Sequence, residues 1–386
     1  MNRKVDNKIE TKLSHINSIR GIAILMVILT HVSQTVKGLD TLSATIASYG
    51  QMGVQLFFVV SAYTLCLSAD NRIHESHALK KYAIRRFFRI APLFYIGLLY
   101  YFIIEALRGW YYTNALTWPI NFSPVNVLFN IFFLHGFYEP ANNTIVPGGW
   151  SIGTEMGFYA LFPVFFYCIK RNQLVNPMTF LLLIISIQLV VISILFFIQS
   201  YSRFSIENNS FLYFSIINQL PVFCIGIGYY FTERWAIFNR HWLFDMTIFV
   251  LLTCISQYLW HKKQPFLFTV IPSTCALSFV FLINMFKKVR WLNFRILVKI
   301  GILSYSMYIF HIIFALKLST IISSQLKHKI NSNYNLFVLI ALYAMSIIGT
   351  YLIAILSDKY IERPFIKKGK RIIEKIDTPP KVSMHK

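Results

Sequence analysis

The chain has 386 residues, 56% hydrophobic and only 13% charged, with a mean hydropathy of +0.55. A water-soluble domain carries roughly twice that charged fraction, so this class is excluded. The formal charge of +22 would point to nucleic acid in a soluble protein, but here the basic residues flank apolar runs, and no nucleic-acid partner is expected.

Apolar runs long enough to cross a hydrocarbon core about 30 Å thick recur along the chain. In lipid they must be helices, and the alternating segments of a β-barrel are absent. The first run, 19–36, carries Arg20 and His31, eleven residues apart. At 100° per residue they share one face of a helix, with His31 about 16 Å beyond Arg20. A neutral imidazole there accepts a proton from a hydroxyl; the competing role is helix packing. This run could also be read as a cleaved signal peptide, although such a peptide needs neither residue. The second run is 46–68. Lys80, Lys81, Arg85, Arg86 and Arg89 then precede Pro92 at the start of run 90–107. Arginines spaced i, i+3 and i, i+4 present donor forks suited to phosphates. Ordinary anchoring on the positive side of a membrane is the alternative.

The stretch 125–137 holds Asn126, Asn130 and His135 and is too short to span comfortably, so a re-entrant or interfacial helix is expected. Run 151–169 opens with Trp150, Ser151 and Glu155. Counted from the membrane surface, Glu155 comes to a depth similar to His31, where a carboxylate orients an imidazolium or holds a sugar hydroxyl. A surface salt bridge or cap is the plainer role. Runs 178–199, 211–231, 243–260 and 265–286 follow. In run 301–323, Ser304, Tyr308 and His311 fall on one face, either as part of a site or as hydrogen-bonding glue between helices. Run 335–357 is the tenth, and the basic tail beyond Pro364 is expected against anionic head groups or disordered.

The fold class expected is therefore an all-α integral membrane protein of about ten transmembrane helices plus one short helix. With the N-terminus in the cytoplasm and ten spans, 29 of the 37 Lys and Arg fall on cytoplasmic pieces, leaving 8 elsewhere. Both termini are thus expected inside, in the plasma (inner) membrane. The five cysteines sit in apolar runs without paired spacing, and neither a disulfide framework nor a metal site is expected.

RGIAILMVILTH, GVQLFFVVSAYTL, RRFFRIAP, GGWSIGTEMGFYALFP, GILSYSMYIFH and IERPF, in this order, resemble the acyltransferase 3 family across about residues 16–366. The resemblance implies a cytoplasmic N-terminal segment 1–15, the transmembrane domain 16–366 and a basic cytoplasmic tail 367–386, without a fused esterase-like domain. It implies acyl transfer, usually acetyl, from acetyl-CoA or another acyl-CoA to a hydroxyl of a cell-surface or secreted glycan or its lipid-linked precursor. His31 and Glu155 are then catalytic; Arg20, Trp150, Ser151, Ser304, Tyr308 and His311 support them. Arg85, Arg86 and Arg89 bind the donor, acyl-CoA acts as co-substrate, and no cofactor is permanently bound. The family usually has Asp where this chain has Asn17, and often Ser-Gly where it has Ser61-Ala62. A transporter or exporter of lipid-linked glycan is the rival reading, since intramembrane charges suit it too. An acyl-group channel feeding a separate enzyme is another, and it needs no histidine base.

Overall fold

The computed structural model describes residues 13–115, 117–171, 177–326 and 334–377. Among them there is no strand, and ten helices are long and apolar enough to cross a membrane. They are α1 (Ser14–Ser33), α2 (Thr41–Asp70), α3 (Ala78–Thr113), α5 (Trp150–Arg171), α6 (Pro177–Tyr201), α7 (Phe211–Thr232), α8 (Trp242–His261), α9 (Leu267–Lys288), α11 (Ser304–Leu326) and α12 (Asn335–Ser357). Three shorter helices, α4 (Pro124–Ile131), α10 (Arg295–Ile302) and α13 (Arg363–Asp377), complete the bundle. The chain is a multi-pass membrane protein, and the short element expected at 125–137 is α4 followed by a 3-10 turn at His135–Phe137.

Hydropathy sorts the helices by position. In α6 the most apolar window is only 11% buried, and Leu181, Leu182, Ile185 and Leu189 face outward as lipid-facing side chains do. By contrast α1 and α7 are packed in the middle, and their faces carry the polar groups. In α1, Gly21 and the facing Gly301 of α10 bring two backbones together: a Cβ on Gly301 would run into the carbonyl of Asn17. Without a hydrophobic drive between helices in lipid, such small residues are what allow close packing. Their contact fixes Arg20 of α1 beside Ser304, which follows α10 immediately.

One end of the bundle is laced by ion pairs. Lys170 meets Asp70, Lys287 meets Glu233 at 2.8 Å, and the almost fully buried Lys81 meets Asp377 at 2.5 Å. The basic cluster expected before the third span lies on the first turns of α3 itself, and Pro92 sits inside that helix. The tail, expected against anionic head groups or disordered, is helical over its described residues. Arg363–Asp377 is a helix continuous with α12 through a π turn at Asp358–Glu362, so it runs across the domain boundary drawn at 366. Its pattern is strongly amphipathic, and Gly369 sits against the ring of Phe88 in α3. Residues 1–12 of the N-terminal segment and 378–386 of the tail lie outside the described residues.

Candidate functional site

The ends of α1, α2, α3, α5 and α11 enclose a cavity of about 350 Å³. Arg20, Arg86 and Arg89 line it together with Ser61, Glu155 and Tyr159, while Ser151, Ser304 and Tyr308 line its other part. Among the described residues, none of the three arginines has a carboxylate within salt-bridge distance. Arg20 instead feels Arg89, Glu155 and Glu362 at longer range. Cations within a helix bundle and without a contact partner make a cavity that favours an anionic guest.

Local packing holds these groups. The Arg86 guanidinium lies over the rings of Tyr82 (5.8 Å) and Tyr159 (5.5 Å), and its buried Nε has no hydrogen-bond partner. Contacts of this kind favour the planar guanidinium over an ammonium. Tyr82 donates from its hydroxyl to the carbonyl of Tyr159 (2.9 Å), which locks the pair. Glu155 Oε1 accepts hydrogen bonds from Ser61 (2.5 Å) and Tyr159 (2.6 Å). The carboxylate is therefore held one turn along α5 from Ser151.

Past Ser151 a ladder of polar rings leads away from the arginines. Ser151 Oγ and the Tyr308 hydroxyl are 2.7 Å apart, and Tyr308 also donates to the carbonyl of Gly148 (3.0 Å). His311 Nδ1 is 2.6 Å from the carbonyl of Tyr308. A carbonyl only accepts, so Nδ1 carries the proton and Nε2 is left as a lone-pair acceptor, buried without a partner. The ring of His31 packs 5.1 Å from that of His311, and its Nδ1 is likewise buried and unpartnered. His311 is fully buried; His31, two residues from the end of α1, is partly exposed. A π turn at Ile313–Leu318 follows directly, an irregularity common beside functional sites.

This geometry corrects three expectations. Glu155 is not level with His31, because the Ser151–Tyr308 layer lies between them. The loop before α5 descends into the bundle: Gly148 has a positive φ of 82°, and Trp150 is buried, stacked on Phe214 at 4.2 Å and edge-on to Phe58. A count from the membrane surface therefore places Glu155 too shallow. For the same reason Glu155 faces the arginines rather than the far end. Arg85, grouped with Arg86 and Arg89, spends both terminal nitrogens on Glu75 (3.0 and 2.7 Å). Trp150 does not line the cavity; it seats the start of α5.

The structure also brings in residues not singled out from sequence. Tyr159 lines the cavity beside Tyr305 of the Ser304–His311 stretch, and Glu362, buried at the π turn after α12, takes a hydrogen bond from Ser306 near Arg89 and Arg20. The signal for Glu362 was present in IERPF, a carboxylate at the edge of an apolar run; Tyr159 is lost among 22 tyrosines. Among the described residues, no group of three His, Cys, Asp or Glu is placed to hold a metal ion.

Comparison with known proteins agrees with this bundle. No curated protein and no solved structure is found to be similar to the chain. A family model for the acyltransferase 3 acyltransferase domain matches residues 13–356, from the start of α1 almost to the end of α12. The chain belongs to the acyltransferase 3 family and is a membrane acyltransferase that transfers groups other than aminoacyl groups.

Proposed function

We propose that the protein transfers an acyl group, acetyl foremost, from acyl-CoA to a hydroxyl of a cell-surface or secreted polysaccharide or of its lipid-linked precursor. The observation that carries this reading is the cavity's polarity: Arg20, Arg86 and Arg89, with no carboxylate at salt-bridge distance among the described residues, on one side, and the Ser151–Tyr308–His311–His31 ladder leading away on the other. The basic end faces the cytoplasm of the plasma membrane, by the charge bias of its loops, and both termini lie there.

In this reading Arg86 and Arg89 hold the donor phosphates, and the acyl thioester reaches Ser151 and Tyr308. Their hydroxyls turn from the Gly148 carbonyl to donate to the thioester oxygen as charge develops on it. Glu155 and Arg20 flank the pantetheine arm, and Glu155 acts on catalysis by positioning Ser61, Tyr159 and Arg20. The acceptor enters from the opposite side, where His31 is partly exposed. His31 takes the proton of the acceptor hydroxyl, with His311 behind it. The oxygen forms the new ester bond, the carbon–sulfur bond breaks, and the CoA thiolate leaves toward the arginines; His31 gives up its proton to water, the thiolate takes one from water, and the base is restored. A general base of this kind supplies about 10²–10⁴ in rate.

The test is structural analysis of surface glycans from cells with and without the gene, together with acyl transfer by the purified protein. Loss of one O-acyl group is expected. Unchanged glycans and no transfer from acyl-CoA would overturn this choice of donor and acceptor.

A further inference from the structure

A second cavity, about 360 Å³, lies between the first turns of α3 and the C-terminal helix α13. Its lining includes Arg72, Arg86, Arg89 and Lys370, together with Arg85, which Glu75 already neutralises. Glu374 is the acidic residue in that lining, so cations dominate it. Arg86 and Arg89 also line the first cavity, so the two spaces meet at these arginines. One wall is α13, which begins at Arg363, beyond the matched family domain ending at 356. That wall is pinned at both levels. Asp377 accepts hydrogen bonds from the buried Lys81 (2.5 Å) and from Ser76 (2.8 Å), and Gly369 rests on Phe88, where an added Cβ would come within 2.9 Å of the Phe88 Cβ.

Resting on the acyl-CoA reading above, we propose that this second cavity takes the phosphorylated nucleotide end of the donor, and that Lys370 of α13, opposite Arg72, is the contact for its 3′-phosphate monoester. A phosphate monoester near −2 calls for more than one cation, and a lysine on one wall with an arginine on the other clamps it as point charge and fork. From there Arg86 and Arg89 pass the diphosphate, and the arm enters the first cavity. The same chemistry would suit a phosphate of an anionic lipid head group, so the experiment separates the two.

The test uses the full chain in nanodiscs of zwitterionic lipid, with acyl-CoA and its 3′-dephospho analogue as paired donors. The wild type should use acyl-CoA with a KM about tenfold or more below that of the analogue, the size of one charge-assisted contact. Lys370→Ala combined with Arg72→Ala should bring the two KM values together at unchanged kcat. Lys367→Ala, on the same helix but outside the cavity lining, should leave the preference intact and controls for general loss of positive charge. A preference that survives the double substitution overturns the clamp. So does an activity that depends on Lys370 only when anionic lipid is added, which would make the cavity a head-group site. If the wild type uses neither donor, the acyl-CoA reading itself falls.

Discussion

Replacing Arg86 probes the donor side most sharply, because the structure gives its guanidinium two separable properties. It carries a charge with no carboxylate at contact distance among the described residues, and it is stacked between Tyr82 and Tyr159. A charge-assisted contact to phosphate is worth about 1.5–3 kcal/mol, so Arg86→Ala should raise the KM for acyl-CoA roughly ten- to a hundredfold. Arg86→Lys keeps the charge but gives up the planar fork and much of the stacking, worth about 0.5–2 kcal/mol, and should recover only part of the loss. Acceptor KM should hardly move in either variant. The assay is steady-state transfer from labelled acyl-CoA by purified protein, varying donor and acceptor separately, with folded yield measured alongside. A donor KM unchanged in both Arg86→Ala and Arg89→Ala would reduce these arginines to membrane anchors.

Other expectations follow from particular contacts. Arg85→Ala breaks the pair with Glu75 and should change donor KM less than Arg86→Ala does, in the same assay. Asp245 is fully buried and holds Lys288 at 2.5 Å and Asn284 at 3.0 Å; Asp245→Ala takes the carboxylate from a partly exposed Lys288 that keeps the Arg240 carbonyl, and should cost about 1.5–3 kcal/mol, read as a drop in unfolding temperature in nanodiscs. His135, in the 3-10 turn before α5, is fully buried against Phe94 with Nε2 3.0 Å from the carbonyl of Gly149, and burial lowers its pKa to about 4. The folded state then binds fewer protons than the unfolded one between pH 6.5 and 4. Its stabilising contribution is complete above 6.5 and is lost as pH falls toward 4, by up to about 3 kcal/mol. Stability measured against pH should show that acid limb, and His135→Gln should flatten it. Cysteines placed at 287–299 should resist labelling from outside intact cells; efficient labelling would invert the proposed orientation.

Much of the bundle was legible because lipid imposes one rule on every span: apolar length and internal backbone pairing. Thus each of the ten apolar runs became a helix, nine of them starting within a few residues of the expected place, while the third begins twelve residues early because the basic cluster before Pro92 is already helical. Arg20, Ser151, Ser304 and Tyr308 stood out because polar groups in such runs are costly, and the structure gathers them at one cavity. What the sequence hid was depth and pairing. Nothing in GGWSIGTE tells that Gly148 turns the chain inward and sinks Glu155 below the Ser151–Tyr308 layer. Nor does RRFFR show that Glu75, ten residues before Arg85, takes that one arginine out of the set. The fate of the tail was also open, because amphipathic helices are decided by the surface they find. Here it is Phe88, Lys81 and Ser76 that dock α13.

The central claim is that His31, at the far end of the ladder from the arginines, removes the acceptor's proton. It is tested most directly by transfer per folded molecule in His31→Ala against wild type, with donor binding measured on the same preparations. Turnover should fall by at least about 10² while acyl-CoA binding stays near normal, because Arg86 and Arg89 are untouched. A variant that folds poorly but turns over at the wild-type rate would show His31 to be a packing residue against His311 and would contradict the mechanism.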